Sequence, residues 1–173
     1  MADTARYYWD TCAWLGMINE EPGKLSVLKH LWGQAQKGQC EIWTSTYTYL
    51  ELIYGKPSHG QPYNPAADDP LIFAFLEQPF VKRVQLDVDV AKLARRLRRD
   101  HKDVLKKRPD AIHLASALHH NSHQLHTWDD SHLLPLHNKL ACRNGVLLPI
   151  RKPGIGDDTP LLKAAGEGGA DVS

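Results

Sequence analysis

Four carboxylates stand where a folded chain could put them to work. Asp10 follows the aromatic run Arg6-Tyr7-Tyr8-Trp9, which reads as a buried strand, and Asp129 follows the short strand Gln124-Leu125-His126-Thr127-Trp128. Asp110 opens a different kind of stretch. Pro109 biases Arg108 away from the helical region and suits a helix start, so Asp110 falls in a first turn, where the helix dipole favours a carboxylate. From Ala111 to Leu118 only His113 and Ser116 are polar, which predicts a helix buried nearly all round, with Asp110 entering the interior directly behind Lys106, Lys107 and Arg108. Glu51 lies inside the helix expected after a second strand, Glu41-Ile42-Trp43-Thr44. Taken singly, Asp110 reads as a helix cap and Glu51 as a solvent-facing side chain. Brought together, the four would repel and some would hold protons. A hard divalent cation removes that problem, because carboxylates and water are the preferred ligands of Mg²⁺ and Mn²⁺. An ion held this way can activate a water and steady the charge on a phosphodiester, helped by nearby Lys and Arg, with no Ser/His/Asp nucleophile required.

The elements that must position these acids follow from apolar periodicity and from breakers. A helix from about Ala13 ends at Glu20-Glu21-Pro22-Gly23, and Leu25, Leu28, Leu31 and Trp32 mark an amphipathic helix ending near Gly38. Ser45 or Thr46 can cap the helix that carries Glu51, in which Tyr47, Leu50, Ile53 and Tyr54 recur at helical spacing. Lys56 to Pro70 is rich in Pro, Gly, Ser, His and Asn and reads as a long loop, with a helix resuming over Leu71–Leu76. Val81–Leu86 reads as an edge strand. Val90, Leu93, Ala94 and Leu97 give the next helix one apolar face, opposite Lys92, Arg95, Arg96, Arg98 and Arg99. Leu133–Leu140 is expected to be a short helix interrupted by Pro135, and Val146–Ile150 the last strand. Strands alternating with helices predict a parallel α/β sheet covered on both faces, in which ligands bind beyond the carboxyl ends of the strands. Residues 1–150 are expected to form one domain, and 151–173, rich in Gly, Pro and charge with little to bury, a disordered tail.

Composition narrows the function classes. A chain of 173 residues can bury a sizeable core, and a net charge of +1 confines any nucleic-acid surface to a local patch. No apolar run approaches a membrane span and the first residues lack a signal-peptide layout, so the expected location is the cytoplasm. Cys12, Cys40 and Cys142 are odd in number and unpaired in spacing, which fits reduced thiols. A phosphatase of the HAD type would need a second Asp two residues after Asp10, and that position is Cys12.

The order Asp10-Thr11, then Tyr49-Leu50-Glu51-Leu52, then Pro109-Asp110-Ala111-Ile112-His113-Leu114-Ala115, then Thr127-Trp128-Asp129 resembles a PIN domain over about residues 6–150. It is most similar to the single-domain ribonuclease toxins of VapBC-type toxin–antitoxin pairs. The resemblance implies a three-layer α/β/α sandwich with a central parallel sheet. It implies Mg²⁺- or Mn²⁺-dependent endoribonuclease activity giving 5′-phosphate and 3′-hydroxyl ends, homodimerisation, and inhibition by a small antitoxin. It makes Asp10, Glu51, Asp110 and Asp129 the metal-binding, catalytic acids, with Thr11 and Thr127 as their supporting hydroxyls. Cys12 stands where Ser or Asn is common, and Ser131 where a further acid often follows, a place Asp130 could fill. The Lys56–Pro70 loop is longer than the family pattern. A non-catalytic PIN-like module that binds RNA or protein is the alternative, against which the presence of all four acids argues.

One dense basic stretch precedes Asp110. Arg98, Arg99, Lys102, Lys106, Lys107 and Arg108, with Arg95 and Arg96, read either as a solvated helix face or as a phosphate-binding rim, and their place before Asp110 favours the rim. Tyr47, Tyr49, Tyr63 and Trp128 could stack a base, although core packing is the commoner use of such rings. Of the late histidines, His119 and His123 have the spacing of a metal pair without an HExxH motif, and surface positions are expected for the group.

Overall fold

The computed structural model describes residues 4–53 and 62–154. Five strands, β1 (Ala5–Trp9), β2 (Cys40–Ser45), β3 (Val81–Val84), β4 (Gln124–His126) and β5 (Ile150–Arg151), form one sheet in the order β3-β2-β1-β4-β5. Every pairing is parallel, with Tyr7 opposite Ile42 and Gln124, and Ile42 opposite Val81. β1 is central because its aromatic run serves both faces: Tyr7 and Trp9 enter one core and Tyr8 the other. β3 lies at an edge, as its polar alternation predicts.

Helices α1 (Thr11–Ile18), α2 (Leu25–Gln36) and α4 (Pro65–Leu76) cover the Trp9 face, and α5 (Val88–Asp100) and α6 (Arg108–His119) cover the Tyr8 face. The result is the three-layer α/β/α sandwich. A single-turn helix, α3 (Thr48–Glu51), follows β2, and Leu134–Leu136 forms a 3₁₀ turn between β4 and β5. A buried polar knot fixes the α3 turn. Trp14 Nε1 donates to Thr44 Oγ1 (3.0 Å), Thr44 Oγ1 donates to the Trp9 carbonyl (3.0 Å), and the Thr44 and Thr48 hydroxyls lie 2.8 Å apart.

Several sequence expectations are corrected. The helix predicted across Tyr47–Tyr54 is only the Thr48–Glu51 turn, and Leu50 (67% exposed) and Ile53 (47%) form no buried stripe. The predicted Lys56–Pro70 loop is helical from Pro65 onward: the Asn64 side chain accepts from Ala66 N, Asp68 Oδ2 accepts from Asn64 N, and Pro65 occupies the first turn, where its missing N–H is harmless. Tyr54 at the end of the expected 47–54 helix, residues 56–61 of the expected loop, and the expected 151–173 tail from residue 155 on lie outside the described residues. Of the helix expected over Leu133–Leu140 only Leu134–Leu136 is helical, as a 3₁₀ turn, and the last strand begins at Ile150 and includes Arg151. Among the late histidines, His113 and His126 are buried.

Candidate metal centre

The sheet is parallel, so β1 and β4 deliver their following residues to the same edge. Asp10, 3% exposed, caps α1, its Oδ1 accepting from Ala13 N (3.0 Å). Its Oδ2 accepts a short hydrogen bond from Thr127 Oγ1, which in turn accepts from Asp129 N at 2.9 Å. Thr127 therefore ties the two strand-end acids together. Burial pushes the Asp10 carboxyl up to about 6, and the Asp110 charge adds to the push against the downward pulls of His113, Thr127 and Ala13 N.

Asp110 sits in the first turn of α6, behind Lys107 as N-cap. Burial raises its carboxyl, and the Asp129 charge raises it further, while His132, Lys107 and His113 act in the opposite sense. Asp110 Oδ2 is buried and accepts no hydrogen bond among the described residues. His132 Nδ1 is 3.4 Å from it, but that nitrogen is directed at Asp129 Oδ2, 2.9 Å away. Asp129 is better supplied: although burial pulls it up, His132 and the backbone N–H groups of Ser131 and His132 hold it below the usual carboxylate range. Ligand atoms of Asp110, Asp129 and His132 all lie within 4.8 Å of one another.

Glu51 reaches the same edge from α3. Its Oε2 accepts from Thr11 Oγ1 and lies against His113 Nε2, both at 2.6 Å, and the far side of the imidazole, Nδ1, meets Tyr8 Oη at 2.9 Å. Burial works against the Glu51 charge, yet His113 and Thr11 outweigh it and hold the carboxyl low. Burial drives the Tyr8 phenol far above its ordinary value, so it stays protonated as a donor. Glu51 is thus engaged by protein partners, whereas Asp110 keeps an unengaged oxygen. A set of carboxylates with a buried orphan oxygen fits a hard divalent cation.

Of the residues singled out in the sequence, Asp10, Thr11, Glu51, Asp110, Thr127 and Asp129 gather here. Asp130 does not: its side chain is exposed and paired with Lys152 Nζ at 2.9 Å. Arg98, Arg99, Lys102, Lys106 and Arg108 line a groove of about 660 Å³ between α5 and the start of α6, over an apolar floor that includes Leu105 and Ile112. Lys107 acts on Asp110 directly. Tyr49, Tyr63 and Trp128 pack against the Trp9-side core, as expected of such rings, and Lys24 Nζ stands 5.2 Å over the Trp128 ring. Cys12 lies beside the acids; burial and the Asp10 charge push its thiol up to about 12. His113, Tyr8 and His132 were not singled out as site residues. The usable signal was spacing: His113 is three residues after Asp110 on a helix, and His132 three after Asp129.

A PIN-domain family model matches residues 7–133, most of the chain, and the protein belongs to the PIN-domain family. Among solved structures it is similar to VapC20 of Mycobacterium tuberculosis, a Sarcin-Ricin loop cleaving toxin, with a TM-score of 0.53 and 16% identity over 72% of this chain and 90% of that one. It is also similar to VapBC2 from Rickettsia felis bound to a DNA fragment from their promoter, with a TM-score of 0.56 and 16% identity over 84% of this chain and 98% of that one. At such identities the shared property is the fold. No curated protein matches the chain. Among the described residues, no helix is long and apolar enough to cross a membrane.

Proposed function

We propose that this PIN-domain protein is a metal-dependent endoribonuclease and the toxin of a type II toxin–antitoxin pair. The observation that carries the reading is the convergence of Asp10, Asp110 and Asp129 at the carboxyl edge of the sheet, with the buried Asp110 Oδ2 accepting no hydrogen bond among the described residues. Asp10, Asp110 and Asp129 would hold the ion, Mg²⁺ or Mn²⁺, with Glu51 as the fourth acid. Such an ion supplies charge neutralisation at a phosphodiester and lowers the pKa of water. The chain's own residues do the rest. Thr127 and Ala13 N fix the Asp10 carboxylate, the Ser131 and His132 amides fix Asp129, and Thr11 and His113 fix Glu51. Lys107 and the cations of the α5–α6 groove face the phosphate chain of the RNA and stabilise its charge. A second copy of the chain and a small antitoxin are the protein partners of this reading, in keeping with the VapC and VapBC folds it resembles.

Purified protein is incubated with structured and single-stranded RNA in Mg²⁺, in Mn²⁺ and in EDTA. The proposal expects cleavage with either ion, none in EDTA, and none from Asp110→Asn. RNA left intact under every metal condition, with RNA binding retained, would instead make this a non-catalytic module. For the toxin role, induction in a bacterial host arrests growth, and co-expression of a short reading frame directly upstream restores it.

A further inference from the structure

His132, the sixth residue after β4, is chemically out of place in a site made of oxygens. His132 Nδ1 points into the acid cluster, 2.9 Å from Asp129 Oδ2 and 3.4 Å from Asp110 Oδ2. Neighbouring ligands on an octahedral ion with bonds of about 2.1 Å stand about 3 Å apart, so these spacings suit three atoms sharing one ion. The loop is built to hold them there. Asp129 Oδ1 is occupied by the amides of Ser131 and His132, both at 2.9 Å, which leaves Oδ2 as the atom turned toward the ring. Leu134 N donates to the Asp129 carbonyl at 3.1 Å and closes the turn. Opposite, Asp110 Oδ2 is buried and accepts no hydrogen bond among the described residues, so an ion would complete it.

We infer that His132 is a nitrogen ligand of the ion held by Asp110 and Asp129, and that it biases the site toward first-row transition ions over Mg²⁺. The inference rests on the divalent-metal reading above and adds a residue outside the four acids. Mg²⁺ demands oxygen and keeps much of its water, whereas imidazole is a good ligand for transition ions. The ring binds neutral through Nδ1, with its proton on Nε2, so the contact that now joins Nδ1 to Asp129 is exchanged for one shared ion. The competing account is that His132 only braces Asp129 as a hydrogen-bond donor.

The two accounts separate on the ion itself. Tag-free full-length protein is titrated with Mn²⁺ alone, followed by electron paramagnetic resonance, and the bound ion is probed for electron spin-echo modulation from ¹⁴N. The inference expects a directly coordinated imidazole nitrogen in the parent that is absent from His132→Gln. It also expects Mn²⁺ affinity to fall about tenfold in His132→Gln and Mg²⁺ affinity, by competition, to move much less. His132→Asp, an all-oxygen set, should bind Mg²⁺ at least as well as the parent with no nitrogen signal. Circular dichroism of the variants confirms that they are folded. Mn²⁺ bound without nitrogen modulation, or with modulation unchanged in His132→Gln, overturns the inference and leaves the metal reading standing. Mn²⁺ that fails to bind saturably overturns both.

Discussion

At the scale of single residues, the site is a set of carboxylates held under unequal tension. Asp110 is raised by burial and by Asp129, and its Oδ2 accepts no hydrogen bond among the described residues, so its charge destabilises the metal-free fold. Asp110→Asn keeps the shape and removes the charge. We expect cleavage to be abolished while the melting temperature without divalent ion rises by a few degrees, the size of an effect near 1 kcal/mol in a chain of this length. Asp10 gives a signed pH effect. Its folded value of about 6 lies above the ordinary 3.8, so the folded state binds the proton more tightly. Its contribution is fully present below about pH 4 and is lost as pH rises through about 6, a displacement of roughly 3 kcal/mol. His126 opposes it in the same window: burial lowers its value to about 3, so the unfolded chain takes up that proton first and stability grows with pH. The difference between parent and Asp10→Asn isolates the Asp10 part. Metal-free denaturation at successive pH values should show the variant gaining on the parent between pH 4 and 6, and parallel curves would show that Asp10 titrates normally. The sequence disclosed Asp10, Asp110 and Asp129 because a strand end or a helix start fixes where a carboxylate goes. It did not disclose the Tyr8–His113–Glu51 chain, whose bonds join residues 105 and 62 positions apart. Only tertiary packing makes such contacts.

At the scale of elements, the legible parts were those with a long periodic face. α5 and α6 fell where Val90, Ala94 and Leu97, and the run from Ala111 to Leu118, placed them. α3 and α4 were misread for one physical reason: local composition was taken as the whole signal. The spacing of Tyr47, Leu50 and Ile53 promised a helix, but the Thr44 knot anchors only Thr48 and leaves Leu50 and Ile53 outward. Prolines promised a loop, yet Pro65 starts α4 and Pro70 is carried within it. The knot itself is testable. Thr44→Val keeps the volume but strands buried Trp14 Nε1, the Trp9 carbonyl and the Thr48 hydroxyl. We expect a loss of about 2–4 kcal/mol in chemical denaturation, and a loss below about 0.5 kcal/mol would mean that α3 is anchored elsewhere. The α5–α6 groove makes a second element-level prediction. Arg98, Arg99 and Lys102 ring it without belonging to the acid cluster, although Arg99 is also paired with Asp100 at 2.8 Å. Replacing all three with Ala should weaken RNA binding and reduce the log–log salt slope by about 2, since each phosphate contact on a single strand contributes about 0.7. Turnover at saturating RNA should change far less. An unchanged slope would return these residues to a solvated helix face.

At the scale of the whole molecule, the site is a closure. Its acids enter from the ends of β1 and β4, from α3 and from the start of α6, so residues 10, 51, 110 and 129 meet only when the sheet is complete. An ion that binds this constellation binds the folded state and finds no equivalent in the unfolded chain. Its stabilisation then follows mass action: at a hundred times the dissociation constant it amounts to about 2.7 kcal/mol, or roughly 5–10 °C in a chain of this size. The protein in EDTA is expected to melt lower than in saturating Mn²⁺ by that margin, with the midpoint climbing as the logarithm of free metal once the site is filled. Asp10→Asn and Asp129→Asn should each erase most of the climb, because each removes the charge of one of the strand-end acids that Thr127 ties together. Asp130→Asn should leave it intact, because that side chain faces Lys152 instead of the cluster. Amide exchange supplies the spatial half of the test. Added ion should slow exchange together at the end of β1, at the end of β4 and in the first turn of α6, three separate elements that meet at this edge. Protection confined to one of the three would mean that the ion sits on a single loop and that the carboxyl edge is not one site.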